Sequence, residues 1–315
     1  MTNNLDSASG QPSAPFEVAP LDPIGAELRG LDLRGTISDD VWAALREAVV
    51  REGFVLIREQ PMTTAQQVEL GRRFGPLENT SLDGGEIEEA SFLLTNLDSA
   101  GEILAEDAID LKLVAINEGW HTDSSFRDIP ASFSLFAGVV VPAVGGDTFF
   151  ASLHRGWDAL SFVDRAAIAG RRGHHDYDGA YRSRGVDMSG YFGGPAPTAH
   201  HPVVRVHPES GRIGLYVSEH LDSIEGFEDG EGRALIARLL DTCTDPTRVY
   251  RHQWTQGDLI IWDNRSMLHK AQGFDRIHPR VMRHVRIAGS EPVISASLDA
   301  ARRDASESKD SRTIV

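Results

Sequence analysis

Residues 120–126 read Trp-His-Thr-Asp-Ser-Ser-Phe (WHTDSSF), with His121 and Asp123 two positions apart. In an extended segment, residues i and i+2 point to the same side of the backbone, so this imidazole and this carboxylate can bind one metal ion. The chain has 12 His and 47 acidic residues among 315, and roughly two such pairs are expected by chance. Four His-x-acid pairs are present, starting at His121, His174, His207 and His220. The context of each pair must therefore identify the metal pair.

The contexts of the other three pairs favour other roles. His207 lies in VRVHPESGR, where the proline and the turn residues of a hairpin explain the local composition. His174 opens a Gly/Pro-rich insertion, which is a poor place for rigid metal ligands. His220 follows the strand-like segment LYVSE, and it could contact a metal ligand or a substrate. The pair at His121 is therefore the strongest candidate.

The charge of the chain limits its partners. A hydrophobic content of 41% with 25% charged residues is typical of a globular protein. The formal net charge of −16 argues against nucleic acid or an anionic membrane as the main partner, because both are negatively charged and the protein has no overall positive potential to attract them. An anionic substrate would need a local basic cluster instead. Residues 248–286 form such a cluster, with eight basic residues against three acidic ones.

Cysteine usage and the ends of the chain indicate a compartment. Cys243 is the one cysteine, so no internal disulfide can form and a reducing compartment is expected. No motif surrounds Cys243, which favours a small buried side chain over a nucleophile. The first 15 residues lack the basic start and apolar run of a signal peptide, and the longest apolar run, FAGVVVPAV, is too short to span a bilayer. We therefore expect a cytoplasmic protein.

A single domain is expected between two flexible ends. Residues 1–15 are rich in Ser, Asn, Gly and Pro and are expected to be disordered, and the charged stretch 293–315 is expected to be a flexible tail. Residues 16–292 contain no linker and no repeat. Within them, the irregular segment 79–117 and the Gly/Pro-rich insertion 176–200 are candidate lids.

Strand patterns dominate the middle and the end of the chain, whereas helices are expected early. Residues 39–52, between a Ser38 cap and a Gly53 stop, have helical periodicity, as do residues 64–74 and 232–243. Strand-like segments include FVLIR, SFSLFAGVVV, DLIIWDN and RVMRHVRIAG, and VVRVHPESGRIGLYVS predicts a hairpin. In the strand RVMRHVRIAG, alternation places residues 280, 282, 284 and 286 on one side and residues 281, 283 and 285 on the other. This pattern predicts a mainly β fold with flanking helices, either a β-sandwich or a closed β-roll.

Several segments resemble, in order, the iron(II)/2-oxoglutarate-dependent dioxygenases of the taurine dioxygenase and 2,4-dichlorophenoxyacetate dioxygenase family. They span about residues 17–290 and include PLDPIGAELRGLDLR, RRFGPLE, NEGWHTDSSF, VVVPAVGGDTFF, HPVVRVHPESGR, GDLIIWDNRSMLH and the arginine-rich segment after it. Each segment alone is weakly specific, but the ordered set is highly specific. The resemblance implies a double-stranded β-helix core, which is a jelly roll of the cupin-like type.

The resemblance also implies residues for iron and co-substrate. His121, Asp123 and His269 would bind Fe(II), and two imidazoles with one carboxylate leave open positions for a chelating co-substrate and O2. Arg280 would bind the far carboxylate of 2-oxoglutarate through two parallel charge-assisted hydrogen bonds. Thr148 would add a hydroxyl donor to the same carboxylate.

The substrate side departs from the taurine dioxygenase pattern. That pattern has a second arginine fifteen residues after the distal histidine, where this chain has His284, with Arg286 two positions later. This departure disfavours a sulfonate substrate. Asn117 matches a position that contacts substrate in the family, and we expect Asn117, His284 and Arg286 to be the substrate-binding residues.

The expected activity is hydroxylation of a small-to-medium organic anion, with an aryloxyalkanoate-like carboxylate favoured, giving succinate and CO2 and, for some substrates, cleavage of an ether or C–S bond. Sulfonates, sulfate esters and amino-acid-derived precursors are alternative substrates. A zinc hydrolase could use the same ligands, but it has no use for Arg280 and Thr148 as a dicarboxylate clamp. A non-catalytic β-roll binding module would not need the complete ligand set. We expect a homo-oligomer, either a dimer or a tetramer.

Overall fold

The computed structural model describes residues 15–79, 91–106, 108, 111, 116–182, 185 and 195–297. These residues form fifteen strands and six α-helices. The strands are β1 (Glu17–Pro20), β2 (Ala26–Arg29), β3 (Phe54–Ile57), β4 (Phe92–Thr95), β5 (Phe133–Val140), β6 (Thr148–Ser152), β7 (Arg172–Asp176), β8 (Thr198–Pro202), β9 (Val204–Val206), β10 (Ile213–Leu215), β11 (Leu221–Ile224), β12 (Val249–His252), β13 (Leu259–Asp263), β14 (Met267–Ala271) and β15 (Val281–Ile287). The helices are α1 (Asp39–Glu52), α2 (Thr64–Phe74), α3 (Leu153–Ala159), α4 (Phe162–Ile168), α5 (Tyr177–Arg182) and α6 (Asp229–Cys243).

Two facing sheets form the core. The larger sheet is open and has the strand order β1-β2-β3-β13-β5-β15-β4, and a three-stranded sheet has the order β12-β6-β14. Buried apolar side chains of both sheets form one cluster, in which Phe54 of β3 stacks on Phe150 of β6 with ring centroids 4.6 Å apart. The predicted mainly β fold with a jelly-roll core is confirmed.

Helices α1 and α2 cover the outer face of the larger sheet at the positions that the sequence predicts. The Ser38 hydroxyl caps α1 by accepting from the Val41 N–H at 3.3 Å, and α1 ends at Gly53, whose φ of 84° favours glycine. Thr63 and Gln66 form a capping box at the start of α2. The apolar faces of both helices pack into one cluster with the sheet.

Strand β15 contributes to two different environments. One set of side chains faces α1 and α2: Arg283, Val285 and Ile287. The other set faces the inside of the jelly roll: Met282, His284 and Arg286. The predicted alternation of residues 280–286 between two sides is confirmed, and it separates the helix-packed face from the interior face.

A second apolar cluster lies under α3 and α6, together with strands of the two smaller sheets β11-β7-β8 and β10-β9. The predicted hairpin is the β9–β10 pair, and the helix predicted before Cys243 is α6, with Cys243 itself 1% exposed. The sequence patterns did not predict the three short helices α3, α4 and α5. Helix α5 lies in the segment 176–200, which was expected to be a flexible Gly/Pro-rich insertion.

The expected tail and lids are only partly within the described residues. Residues 293–297 lie beside β9, where the Val206 N–H donates to the Ile294 carbonyl oxygen at 2.9 Å. Residues 1–14, 80–90, 107, 109–110, 112–115, 183–184, 186–194 and 298–315 lie outside the described residues. Within the described ranges, no helix has the length and apolar character needed to cross a bilayer.

Candidate metal and co-substrate site

The chain segments that carry His121 and His269 pair through their backbones. The His121 N–H donates to the His269 carbonyl oxygen at 3.0 Å, and the His269 N–H donates back at 2.8 Å. His269 lies on β14, and His121 forms an isolated bridge to it. The two imidazole centroids lie 4.2 Å apart. Backbone pairing thus holds two candidate ligands, distant in the sequence, side by side.

His121, Asp123 and His269 form a compact group. Each offers one ligand atom, and these atoms all lie within 4.8 Å of one another. The three residues are 9%, 5% and 7% exposed. In the part of the chain that the structure describes, this is the only group of three or more His, Cys, Asp or Glu side chains with such geometry. Two nitrogen donors and one oxygen donor suit Fe(II), so the side chains fit the metal that the resemblance implied.

A hydrogen bond selects the tautomer of His121. Its Nδ1 lies 2.7 Å from the Gly119 carbonyl oxygen, which can only accept, so Nδ1 carries the proton. The lone pair is therefore on Nε2, where a metal can use it. His269 turns its own Nε2 toward Asp123, with 3.8 Å between Nε2 and Oδ1.

Three polar side chains orient the Asp123 carboxylate. The Ser134 hydroxyl donates to Asp123 Oδ2 at 2.6 Å, and Asn264 Nδ2 donates to Ser134 Oγ at 2.9 Å. Asn264 Oδ1 accepts from the Asp123 N–H at 3.1 Å and from the Trp262 indole N–H at 2.8 Å. Because Oδ2 is engaged in this network, Oδ1 is left facing His269.

The protonation states of these side chains favour metal binding. Burial raises the pKa of the Asp123 carboxyl, but His269, His284, Arg286 and His121 together lower it more, and the net pKa lies below its ordinary value. Burial lowers the pKa of His269 well below its ordinary value. An ionised carboxylate and a neutral imidazole are the forms that coordinate a divalent metal.

Arg280 and Thr148 lie on the same cavity as the three candidate ligands. Arg280 is 5% exposed, its Nη2 donates to the Gly146 carbonyl oxygen at 3.0 Å, and its Nε has no hydrogen-bond partner within the described residues. Burial lowers the pKa of this guanidinium to about 10, so it stays charged at neutral pH. The Thr148 oxygen accepts from the Trp254 indole N–H at 2.9 Å, which leaves the hydroxyl hydrogen for another acceptor. Both side chains can bind a carboxylate.

The cavity has a volume of about 470 Å³, within the range of small-molecule sites. The expected substrate-binding residues Asn117, His284 and Arg286 also line it. The structure therefore brings all eight predicted site residues to one cavity. The rest of the lining is mostly apolar or aromatic and includes Phe92, Leu94, Leu104, Phe136, Tyr177, Tyr181 and Trp262.

Arg286 is embedded in a charged cluster. Its Nη1 lies 3.9 Å from Asp123 Oδ1, and its Nε lies 3.1 Å from Glu78 Oε2 in an ion pair without hydrogen-bond geometry. Glu78 also lies 3.5 Å from Arg127 Nε. Burial lowers the pKa of Arg286, but Glu78 and Asp123 raise it more, so the net pKa lies above its ordinary value. Burial lowers the pKa of the neighbouring His284 to about 3, so its ring is neutral.

The sequence reasoning missed several residues that hold the site together, namely Glu78, Ser134, Asn264 and the cavity tyrosines Tyr177 and Tyr181. One signal was present for Ser134, because it is the only hydroxyl in the apolar strand pattern FSLFAGVV of β5. Asn264 lies between the strand β13 and His269, in the WDNRSMLH segment that carried the resemblance. Glu78 is the last residue of RRFGPLE, another of the segments that carried the resemblance.

Comparison with known proteins agrees with this geometry. The family model described as "Taurine catabolism dioxygenase TauD, TfdA family" matches residues 17–286. The (S)-phenoxypropionate/alpha-ketoglutarate-dioxygenase of Sphingobium herbicidovorans is 34% identical over 91% of this chain and 99% of its own length. The alpha-ketoglutarate-dependent 2,4-dichlorophenoxyacetate dioxygenase of Cupriavidus pinatubonensis is 32% identical over 81% of this chain and 92% of its own. A crystal structure of AAD-2 in complex with Mn(II) and N-oxalylglycine superimposes with a TM-score of 0.82 and 30% identity, covering 89% of this chain and 99% of that one.

Proposed function

Because the chain belongs to the TauD/TfdA family of dioxygenases, we propose that it hydroxylates an aryloxyalkanoate-like monocarboxylate. Enzymes of this family use Fe(II), 2-oxoglutarate and O2, and the chain is a non-haem Fe(II)/2-oxoglutarate-dependent dioxygenase. The comparisons therefore favour this class over a zinc hydrolase and over a non-catalytic binding module.

We propose that the iron is held by His121, Asp123 and His269. The close grouping of their ligand atoms supports this assignment, as do the ionised carboxylate of Asp123 and the neutral imidazole of His269. The bound iron, with 2-oxoglutarate and O2, supplies the oxidation: one oxygen atom enters a substrate C–H bond while 2-oxoglutarate becomes succinate and CO2. Ser134 and Asn264 keep the carboxylate of Asp123 oriented. Because Asp123 is present, a carboxylate occupies the position that the family's halogenases leave to a halide, which favours hydroxylation.

Arg280 is proposed to bind the far carboxylate of 2-oxoglutarate, with Thr148 as a second donor. A planar guanidinium makes two parallel bonds to a carboxylate and so fixes its orientation as well as its position. The buried position of Arg280 strengthens this attraction, because water competes less there. The contact with Gly146 holds the guanidinium in place before the co-substrate arrives.

The charges around the cavity support a monoanionic substrate, and this is the observation on which the proposal chiefly depends. A ferrous ion with Asp123 has one net positive charge, and 2-oxoglutarate with Arg280 has one net negative charge, so these four groups cancel. Glu78 with its two partners Arg127 and Arg286 leaves one positive charge. Arg286 is the member of this trio that lines the cavity, so a single carboxylate beside it completes the balance.

The walls of the cavity support an aryl group next to that carboxylate. Phe92, Phe136, Tyr177 and Trp262 present aromatic surface, which prefers another ring in stacked or edge-on contact. Hydroxylation of the carbon that bears the aryl ether oxygen gives a hemiacetal or hemiketal. This product breaks at the C–O bond to a phenol and a 2-oxo acid.

Residues from both candidate lids line the cavity, including Leu94 and Leu104 from the first and Tyr177 and Tyr181 from the second. We propose that these segments exclude water during the oxidation. Assembly as a dimer or tetramer and a cytoplasmic location stay predictions. Light scattering after size-exclusion chromatography measures the first, and fractionation of the producing cells measures the second.

A substrate panel tests the proposal. The protein is loaded with Fe(II) and 2-oxoglutarate without oxygen, then exposed to O2 with aryloxyacetates, aryloxypropionates, sulfonates, sulfate esters and an aryloxyacetate methyl ester. We expect succinate and phenol in equal amounts from an aryloxy acid, and neither from the uncharged ester. Phenol release that needs no 2-oxoglutarate would exclude the proposed chemistry. His269→Ala should abolish turnover, whereas His278→Ala, an exposed histidine of the same region, is the matched control.

A further inference from the structure

Asn96 follows strand β4, and both polar atoms of its side chain hydrogen-bond to one turn that is distant in the sequence. The turn comprises residues 272–280, between β14 and β15. Asn96 Nδ2 donates to the carbonyl oxygens of Arg276 and His278, both at 2.9 Å, and Asn96 Oδ1 accepts from the Arg280 N–H at 2.8 Å. The Asn96 N–H donates to the Arg280 carbonyl oxygen at 3.3 Å. Asn96 is 2% exposed, so water does not compete for these bonds.

The same residue connects the turn to the cavity wall. The Asn96 carbonyl oxygen accepts from the N–H of Leu104, which lines the cavity. On its other side, the Arg280 guanidinium contacts Gly146. Arg280 is therefore held at two points, by Asn96 through its backbone and by Gly146 through its side chain.

We propose that Asn96 is a positioning residue for 2-oxoglutarate, because it fixes the turn from which Arg280 reaches the co-substrate carboxylate. This inference rests on the proposed role of Arg280. Bidentate binding of a carboxylate requires the guanidinium to be correctly placed and rotated, and a displacement of about 1 Å can lower rates by about a hundredfold. Asn96 does not line the cavity, so it acts through Arg280 and not by contact with the co-substrate.

The test measures binding of 2-oxoglutarate, not turnover. Isothermal titration under anaerobic conditions follows 2-oxoglutarate binding to the Mn(II)-loaded protein. Asn96→Ala removes all three side-chain bonds to the turn. Asn96→Asp keeps an acceptor for the Arg280 N–H but loses both donors to the carbonyl oxygens. Asp98→Ala is the matched control in the same segment, because the bonds of the Asp98 side chain to described residues are local, to the N–H groups of Ala100 and Glu102.

We expect both Asn96 variants to raise the dissociation constant of 2-oxoglutarate by about tenfold or more. The dissociation constant of Mn(II) should stay close to the wild-type value in both variants, which a general loss of structure would not allow. The thermal midpoint of Asn96→Asp should fall, because the variant buries a carboxylate against two carbonyl oxygens. Asp98→Ala should bind 2-oxoglutarate like the wild type. Unchanged 2-oxoglutarate binding in the Asn96 variants, or an equal loss in Asp98→Ala, would overturn the inference.

Arg280→Lys tests the proposed role of Arg280 independently of the role of Asn96. If Arg280→Lys weakens 2-oxoglutarate binding but the Asn96 variants do not, only the role of Asn96 is wrong. If none of these variants weakens binding, the proposed role of Arg280 is wrong, and the inference about Asn96 is overturned with it.

Discussion

Glu78 and Arg286 are linked twice. The Glu78 N–H donates to the Arg286 carbonyl oxygen at 2.8 Å, and the Glu78 carboxylate lies 3.1 Å from Arg286 Nε. The backbone bond fixes the two residues relative to each other, and the ion pair turns the guanidinium in a defined direction. Because the carboxylate faces Nε, Nη1 remains directed toward Asp123 Oδ1 at 3.9 Å and Ser124 Oγ at 3.5 Å.

Replacing Arg286 should weaken binding of the anionic substrate. Arg286→Gln removes the positive charge and should raise KM for an aryloxy acid by about 10- to 100-fold, since a hydrogen bond to a charged group contributes about 1.5–3 kcal/mol. The KM for 2-oxoglutarate should stay the same. Steady-state kinetics with each substrate varied separately measures both constants. Arg238→Gln, at a largely exposed arginine of α6, is the control. An unchanged KM for the aryloxy acid in Arg286→Gln would contradict the substrate assignment.

Removing the hydroxyl of Ser134 should weaken metal binding. Ser134→Ala deletes the donor to Asp123 Oδ2, and loss of such an outer partner lowers metal affinity by about 10- to 100-fold. Competition titration against a metal indicator measures the Fe(II) or Mn(II) dissociation constant. Ser132→Ala is the matched control, because the Ser132 hydroxyl donates to the Ala288 and Ile287 carbonyl oxygens and not to the site. Equal metal affinity in the two variants would show that Ser134 does not orient the carboxylate.

A methyl group at Gly146 should disturb Arg280 specifically. Gly146 has a φ of 70°, and a Cβ there would lie 2.8 Å from Arg280 Nε. Gly211 has a φ of 69° with nothing within 4 Å, so Gly211→Ala has the same backbone strain without a contact. The backbone strain should lower the folding stability of each variant by about 1 kcal/mol, and the contact with Arg280 should lower that of Gly146→Ala further. Only Gly146→Ala should also bind 2-oxoglutarate more weakly, as measured by titration. A similar loss of affinity in Gly211→Ala would mean that strain alone is responsible.

The thiol of Cys243 should be inert in the folded protein. Burial raises the pKa of Cys243 to about 12, so at pH 8 about one thiol in ten thousand is ionised, and the thiolate is the reactive form. A chromogenic disulfide reagent at pH 8 should release no colour from the native protein and one equivalent after unfolding in guanidinium. Cys243→Ala should keep full activity. Rapid reaction of the native protein would show that the side chain is accessible.

Much of the fold follows from local patterns. The Ser38 cap, the Gly53 stop and the alternation along β15 each involve neighbouring residues, and all three were predicted and confirmed. Helices α3, α4 and α5 were not predicted, because helices of seven, seven and six residues are shorter than the window of roughly 11–18 residues in which helical periodicity is recognised. The N-cap serines Ser152 and Ser161 were the available signals for the first two.

The residues of the site also divide into those that sequence motifs indicated and those that they did not. The metal and co-substrate residues were indicated by the order of several motifs, which a sequence displays directly. The residues that hold them were missed because they act through partners far along the chain. Asn96 is separated from Arg280 by 184 positions, and Ser134 joins Asp123 to Asn264, which lies 130 positions further along the chain. No periodicity or spacing rule connects such pairs before the backbone is folded.

The two faces of β15 have a consequence for how enzymes of this architecture diversify. Positions 284 and 286 line the cavity, whereas positions 283, 285 and 287 contact the helices. A change of substrate can thus arise from substitutions at alternate positions of this one strand, because those positions do not contribute to the packing of the helices. His284, which occupies the position where the taurine dioxygenase pattern has an arginine, lies on the cavity side of the strand.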